Sequence, residues 1–101
     1  MEYGLETADI ERIKKVFSGN PKIKRVIIFG SRAMGTYKPG SDIDLAVIGD
    51  LSFNDMLDLD NELDKLGVLY KFDIQNMASI KDPDVLAHIK RVGKDFYIPT
   101  T

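Results

Sequence analysis

The chain has 101 residues, the length of one domain, and its 44% apolar and 30% charged residues are typical of a globular protein. Fourteen basic and sixteen acidic residues give a net charge of −2, which argues against a nucleic-acid module built on a broad basic face. The absence of cysteine excludes thiolate sites, and one histidine, His88, excludes zinc sites that need two or three imidazoles. No apolar run reaches the ~20 residues of a membrane span, and the first residues lack signal-peptide features. We therefore expect one cytoplasmic domain over residues 1–101, with no membrane association.

The first half of the chain predicts a helix, a buried strand, a tight turn and a second strand. The continuous apolar run in 23–29 is typical of a strand that is buried on both faces. Gly30 and Ser31 interrupt this strand, and a short helix over 32–34 follows them. After a loop, residues 42–48 predict the second strand.

The second half of the chain predicts two helices and a further strand. Ser52 is a candidate N-cap, with Asp55 three residues later as in a capping box. Residues 68–75 predict the third strand, and Asp82 caps the last helix. Residues 96–98 are a candidate short fourth strand at the edge of the sheet. The order of helices and strands indicates an α/β (α+β) fold.

Three Asp-x-Asp pairs occur, at 42/44, 58/60 and 82/84, and the expected local geometry separates them. The pair at 58/60 lies on a helix, where side chains two residues apart point roughly 200° away from each other. Capping and the helix dipole explain the pair at 82/84. Asp42 and Asp44 lie in a strand, where alternate side chains share a face. Two carboxylates on one face of a rigid strand repel each other unless a cation lies between them.

Asp73 is the third candidate carboxylate, because it lies opposite the apolar face of its strand, which carries Phe72 and Ile74. Three carboxylates without histidine or cysteine favour hard cations, Mg²⁺ or Mn²⁺. A compact site requires the first strand to end near Asp42, which makes the first two strands antiparallel. Because Asp73 is expected late in its strand, we predict that the third strand runs antiparallel to the second. We expect a mixed sheet with all these signals at one edge.

Gly30 and Ser31 provide a candidate phosphate site, because glycine permits close backbone approach and the following N–H groups can hold anionic oxygens. Ser31 adds a hydroxyl group. Two roles remain open for Arg32, which either neutralises phosphates or pairs with a carboxylate. For His88, in the middle of the last helix, we expect a structural or surface role.

The combined pattern resembles the DNA polymerase β-like nucleotidyltransferase superfamily. Its Gly-Ser motif corresponds to Gly30 and Ser31; after ten intervening residues comes Asp42-Ile43-Asp44-Leu45, and a strand aspartate, Asp73, follows. The segment looks like the minimal, stand-alone branch of that superfamily, the MNT proteins. The resemblance implies a nucleotidyltransferase fold, with a mixed three-stranded sheet flanked by helices.

The resemblance also implies transfer of a nucleoside monophosphate from a nucleoside triphosphate, with ATP as the expected donor and two Mg²⁺ ions as cofactors. By this carry-over, Asp42 and Asp44 hold the metals and Asp73 completes the catalytic and metal site. Gly30 and Ser31 hold the triphosphate, with Arg32 as a further candidate contact.

The acceptor site is expected to come from outside this chain, because larger nucleotidyltransferases carry an additional domain for it. A partner protein, a homodimer or a macromolecular acceptor could supply that site. Small MNT proteins resemble antitoxins that pair with HEPN-domain proteins, so a HEPN partner is the leading expectation, and nucleic acid is not expected as the direct substrate. Two alternatives stay open: a non-catalytic antitoxin that occludes its partner, and a small-molecule nucleotidyltransferase of the antibiotic-modifying type.

Overall fold

Helices and strands alternate along the chain in the computed structural model, which describes residues 1–99. The helices are α1 (Thr7–Ser18), α2 (Gly30–Met34), α3 (Phe53–Asp64) and α4 (Pro83–Val92). The strands are β1 (Ile23–Phe29), β2 (Ile43–Gly49), β3 (Phe72–Asn76) and β4 (Lys94–Tyr97), with a short 3₁₀ turn at Met77–Ser79. Within residues 1–99, no helix is long and apolar enough to cross a membrane.

The four strands form one mixed sheet in the order β3-β2-β1-β4. Strand β1 pairs antiparallel with both β2 and β4, whereas β2 pairs parallel with β3. The predicted mixed sheet is therefore confirmed, and so is the fourth strand at its edge. That edge strand comprises Lys94–Tyr97, so Ile98 lies just outside it.

The predicted direction of the third strand is wrong, because β3 runs parallel to β2 and not antiparallel to it. Strand β3 begins at Phe72 instead of residue 68, which makes Asp73 an early residue of the strand. The Ile43 N–H donates to the Lys71 carbonyl at 2.8 Å, so the two strands start side by side. A crossover through a helix is the connection that parallel neighbours need, and α3 supplies it.

The two faces of the sheet carry different cores. On one face, Ile43, Leu45 and Val47 are fully buried in the main core, which the apolar residues of α1 and α3 complete. On the other face, Ala46 packs with Ile89 of α4 in a smaller core. Because side chains alternate along β2, Asp44 lies on the α4 side, at the end of this smaller core.

Two predicted helix starts are confirmed by their caps. The Ser52 hydroxyl accepts from the Asp55 N–H at 3.1 Å, and the Asp55 carboxylate accepts from the Ser52 N–H at 2.9 Å. The Asp82 carboxylate accepts from the Asp84 N–H at 2.9 Å, and Pro83 is the first residue of α4. The pair at 82/84 is therefore a cap, as predicted.

Arg32 is buried beneath the loop that leads into β2, with only 2% of its surface exposed. Its guanidinium donates to the Ser41 carbonyl from both Nε (3.2 Å) and Nη2 (2.9 Å), and to the Tyr3 carbonyl from Nη1 (2.9 Å). The rings of Tyr37 and Tyr70 lie 5.3 and 5.2 Å from the guanidinium carbon. Arg32 thus ties α2 to the residue that precedes Asp42.

Arg32→Met should lower the free energy of unfolding by about 2–4 kcal/mol, because it leaves buried carbonyls without their charged donor. Urea denaturation measures this loss. The matched control is Arg91→Met on the exposed side of α4, for which we expect a change within about 0.5 kcal/mol. Unchanged stability of Arg32→Met together with weakened ATP binding would instead identify Arg32 as a phosphate ligand.

Candidate active site

Three chain segments meet at one end of the strands, here called the carboxylate edge of the sheet: the end of β1, the start of β2 and the start of β3. Phe29 pairs with Asp44, and Asp44 pairs in turn with Asp73 on its other side. Gly30 follows Phe29 directly and therefore lies next to Asp44. The expected convergence of the glycine turn with these two aspartates is present.

Gly30 contacts Asp44 so closely that no side chain fits between them. Its φ angle is +73°, in the left-handed region that favours glycine. A Cβ atom on Gly30 would lie 2.1 Å from Asp44 Oδ2 and 3.1 Å from its Cγ. The sequence suggested that this glycine makes room for phosphate, and the structure shows that it makes room for a carboxylate.

The electrostatics of the edge centre on Asp44, which is partly buried. Burial raises the pKa of Asp44, and the carboxylates of Asp73 and Asp42 raise it further. A hydrogen bond with the Asp73 side chain acts in the same direction, and nearby His88, when protonated, acts in the opposite one. Three acidic groups therefore share one small region, where a bound cation would favour their ionised forms.

The donor chemistry of this edge fits a hard divalent cation, since Asp42, Asp44 and Asp73 offer only carboxylate oxygens. Asp42 is exposed just before β2, Asp44 is half-buried, and Asp73 is exposed. As the side chains stand, no group of three acidic, histidine or cysteine residues in the described part of the chain forms a ready metal-binding cluster. Metal binding by this trio stays a prediction.

Ser31 is the second residue of α2 and lies half-buried beside Gly30. The first N–H groups of a helix have no partner within that helix, so a side chain, a ligand or solvent must accept from them. The contacts of Arg32 match neither expected role. Its guanidinium donates to backbone carbonyls, and within residues 1–99 it forms no ion pair with a carboxylate. Phosphate contact by either residue stays a prediction.

His88 is the residue that the sequence interpretation missed. Its Nε2 accepts a hydrogen bond from the Gly30 N–H at 3.1 Å, and its ring meets the Phe29 ring edge-on with centroids 6.1 Å apart. The helical spacing in the sequence indicated only that His88 lies beside the buried Ile89. Its contact with Gly30 depends on how α4 packs against the sheet, for which the sequence has no local signal.

The comparison with known families agrees with this geometry. Residues 11–99 match the family described as "Polymerase beta, Nucleotidyltransferase", and the chain belongs to that family. Over 54 residues it is 39% identical to a Methanocaldococcus jannaschii protein named as a candidate protein adenylyltransferase. The match covers 54% of this chain and 52% of that protein, so the chain spans about half the length of this curated relative.

Solved structures with the same fold include chains of toxin–antitoxin complexes. One, a toxin–antitoxin complex with AMP-PNP, superimposes with a TM-score of 0.72 at 26% identity, over 90% of this chain and 74% of that chain. A second is a complex of an MNT antitoxin with a tri-AMPylated HEPN toxin of Shewanella oneidensis. Its TM-score is 0.67 at 21% identity, over 94% and 74% of the two chains, a likeness of fold alone. These matches confirm the predicted fold, and the family match confirms the resemblance to the polymerase β-like nucleotidyltransferases.

Gly30→Ala should destabilise the protein more than Gly35→Ala, although both glycines have left-handed backbones with φ of +73° and +80°. The backbone cost of about 1–2 kcal/mol is common to both substitutions. Only Gly30→Ala must also displace Asp44, because a Cβ on Gly35 meets nothing within 4 Å. Urea denaturation of both variants gives the difference, and equal losses would contradict the contact between Gly30 and Asp44.

Asp44→Asn should stabilise the fold at neutral pH while abolishing any metal-dependent activity. Because the pKa of Asp44 is raised in the folded state, wild-type stability falls as pH rises through that pKa. The gain from Asn should therefore be full at pH 7 and vanish as pH falls below about 4, the ordinary pKa of aspartate. Thermal unfolding of the wild type and Asp44→Asn between about pH 4 and pH 7 tests this pH dependence. Asp58→Asn, at an exposed position on α3, is the control. A gain that does not depend on pH would contradict the role of charge repulsion.

Proposed function

We propose that this chain is a Mg²⁺-dependent nucleotidyltransferase that transfers AMP from ATP to a hydroxyl group of a HEPN-domain partner protein. The observation that carries the proposal is the placement of Asp44 beside Asp73, with Gly30 pressed against Asp44. That arrangement lies at one sheet edge of a chain in the polymerase β nucleotidyltransferase family.

The proposed roles follow from the positions of the residues. Asp42, Asp44 and Asp73 would hold the divalent ions, which when bound stabilise the attacking and leaving oxygens of an in-line displacement. The turn at Gly30 and Ser31 would hold the triphosphate through the N–H groups that follow Gly30 at the start of α2 and through the Ser31 hydroxyl. These side chains act mainly by positioning and charge neutralisation.

The transfer forms one bond and breaks one. The acceptor hydroxyl oxygen bonds to the α-phosphorus of ATP, and the bond from that phosphorus to the bridging oxygen breaks, which releases pyrophosphate. The hydroxyl proton goes to the carboxylate of Asp73, directly or through water. Asp73 suits this role because, of the neighbouring carboxylates Asp44 and Asp73, it is the exposed one and is accessible to a partner's hydroxyl group.

A protein acceptor is supported by the chain's relatives and its charge. The curated relative is named for protein adenylylation, and the structural neighbour at 26% identity is a toxin–antitoxin complex with an ATP analogue. A net charge of −2 offers little long-range attraction to nucleic acid. We propose that residues 1–101 form one catalytic domain and that the partner supplies the acceptor.

Co-expression of the chain with its HEPN partner, followed by intact-mass spectrometry, tests this function. The partner should gain the mass of one or more AMP groups when the nucleotidyltransferase is substoichiometric. Asp73→Asn should abolish this gain, and Asp58→Asn should leave it unchanged.

A non-catalytic antitoxin would give a different result in the same experiment. Neutralisation of the partner only at one-to-one stoichiometry, with its mass unchanged, would establish occlusion and overturn the proposed transfer. AMP transfer to a small molecule but not to the partner would overturn the assignment of the acceptor.

A further inference from the structure

His88 connects α4 to the turn of the candidate active site. It is the single histidine of the chain, half-buried in the middle of α4, on the side of the sheet that carries Asp44. Its Nε2 accepts from the Gly30 N–H at 3.1 Å. The edge-on contact with Phe29, with ring centroids 6.1 Å apart, holds the imidazole plane beside the same turn.

Three features fix the position of Gly30: its backbone conformation, its contact with Asp44 and its hydrogen bond to His88. Its backbone is left-handed, and its Cα lies against Asp44 Oδ2. Its N–H, the first of α2, has no acceptor within that helix, so the imidazole provides the partner that it would otherwise lack. Loss of this acceptor would free the amide and release one restraint on the position of Gly30 against Asp44.

We propose that His88 is a positioning residue for the nucleotide-binding turn: it holds the Gly30 amide and thereby keeps that turn in register with Asp44. The effect on catalysis rests on the proposed function, whereas the link between His88 and Gly30 does not. Since the Gly30 N–H is engaged by the imidazole, the amide at Ser31 is the next one available to a phosphate oxygen.

This geometry specifies the tautomer of the imidazole. A neutral histidine has one ring nitrogen that accepts and one that carries the proton. With Nε2 accepting from Gly30, the proton resides on Nδ1. A histidine that only filled space between α4 and Phe29 would have no reason to adopt this tautomer.

Two variants distinguish the effect of the His88 hydrogen-bond acceptor from the effect of the side chain's volume. His88→Gln keeps a side-chain oxygen that can reach the position of Nε2, whereas His88→Leu keeps apolar volume without an acceptor. Lys90→Leu, at an exposed position on the same helix, controls for added apolar surface. Thermal unfolding verifies that each variant is folded before the other measurements.

The first measurement is made by NMR on the ¹⁵N-labelled chain without nucleotide or partner. The wild-type imidazole should show the Nδ1–H tautomer, and hydrogen exchange at the Gly30 amide should be about three- to tenfold faster in His88→Leu. Exchange in His88→Gln and Lys90→Leu should stay close to that of the wild type. An Nε2–H tautomer, or unchanged exchange in His88→Leu, would overturn the inference whatever the enzyme does.

The second measurement is AMP transfer to the HEPN partner. In His88→Leu, kcat/KM for ATP should fall about three- to tenfold, and His88→Gln should recover most of it. Faster exchange at Gly30 with unchanged kcat/KM would overturn the catalytic part of the inference. A wild-type chain that transfers nothing would overturn the proposed function instead, and the NMR result would still decide whether His88 holds Gly30.

Discussion

The candidate active site depends on one close approach, that of the Gly30 backbone to the carboxylate of Asp44. A Cβ atom at Gly30 would overlap Asp44 Oδ2, so the contact is open only to glycine. The antiparallel register of β1 and β2 imposes the approach, because Phe29 pairs with Asp44 and the chain turns immediately afterwards. The same turn that ends β1 therefore borders the most buried carboxylate of the cluster.

This arrangement places three mutually repelling carboxylates, Asp42, Asp44 and Asp73, at the proposed site of reaction. Burial and two neighbouring carboxylates raise the pKa of Asp44, so its ionised form is less favourable than that of a solvent-exposed aspartate. The cores on the two faces of the sheet hold Asp44 in place, since its strand neighbours Ile43 and Leu45 are fully buried. An acidic group whose pKa is shifted by burial and by neighbouring charges is typical of functional sites, where stability is lowered in favour of activity.

The basic residue nearest the turn serves the scaffold. Arg32 lies two residues after Gly30, yet its guanidinium faces the carbonyls of Ser41 and Tyr3 and not the carboxylate edge. By holding Ser41 it holds the residue before Asp42, so it affects the cluster through the backbone. From α4, His88 holds the Gly30 amide. His88 thus holds the backbone where the turn begins, at Gly30, and Arg32 holds the backbone just before Asp42, at Ser41.

Local signals in the sequence were enough to predict most helices and strands and the caps at Ser52 and Asp82. Such features depend on residues within a few positions of each other, through capping, periodicity and strand alternation. Asp42 lies just before β2, so its sharing of a face with Asp44 stays a prediction. The spacing between the glycine turn and the aspartates was also sufficient to predict that they converge. The family resemblance added the expected activity and the expected partner, which the residue pattern alone did not specify.

The tertiary structure decided the features that depend on long-range packing. The direction of β3 followed from the crossover through α3 and from where that strand begins. The strand starts at Phe72 and not at residue 68, and this four-residue error reversed the predicted pairing. The partners of Arg32 and His88 lie 9 to 58 residues away in the chain. Composition and periodicity report which face of a helix is buried, but they do not report which backbone group a buried polar side chain will meet, because that depends on how separate elements pack.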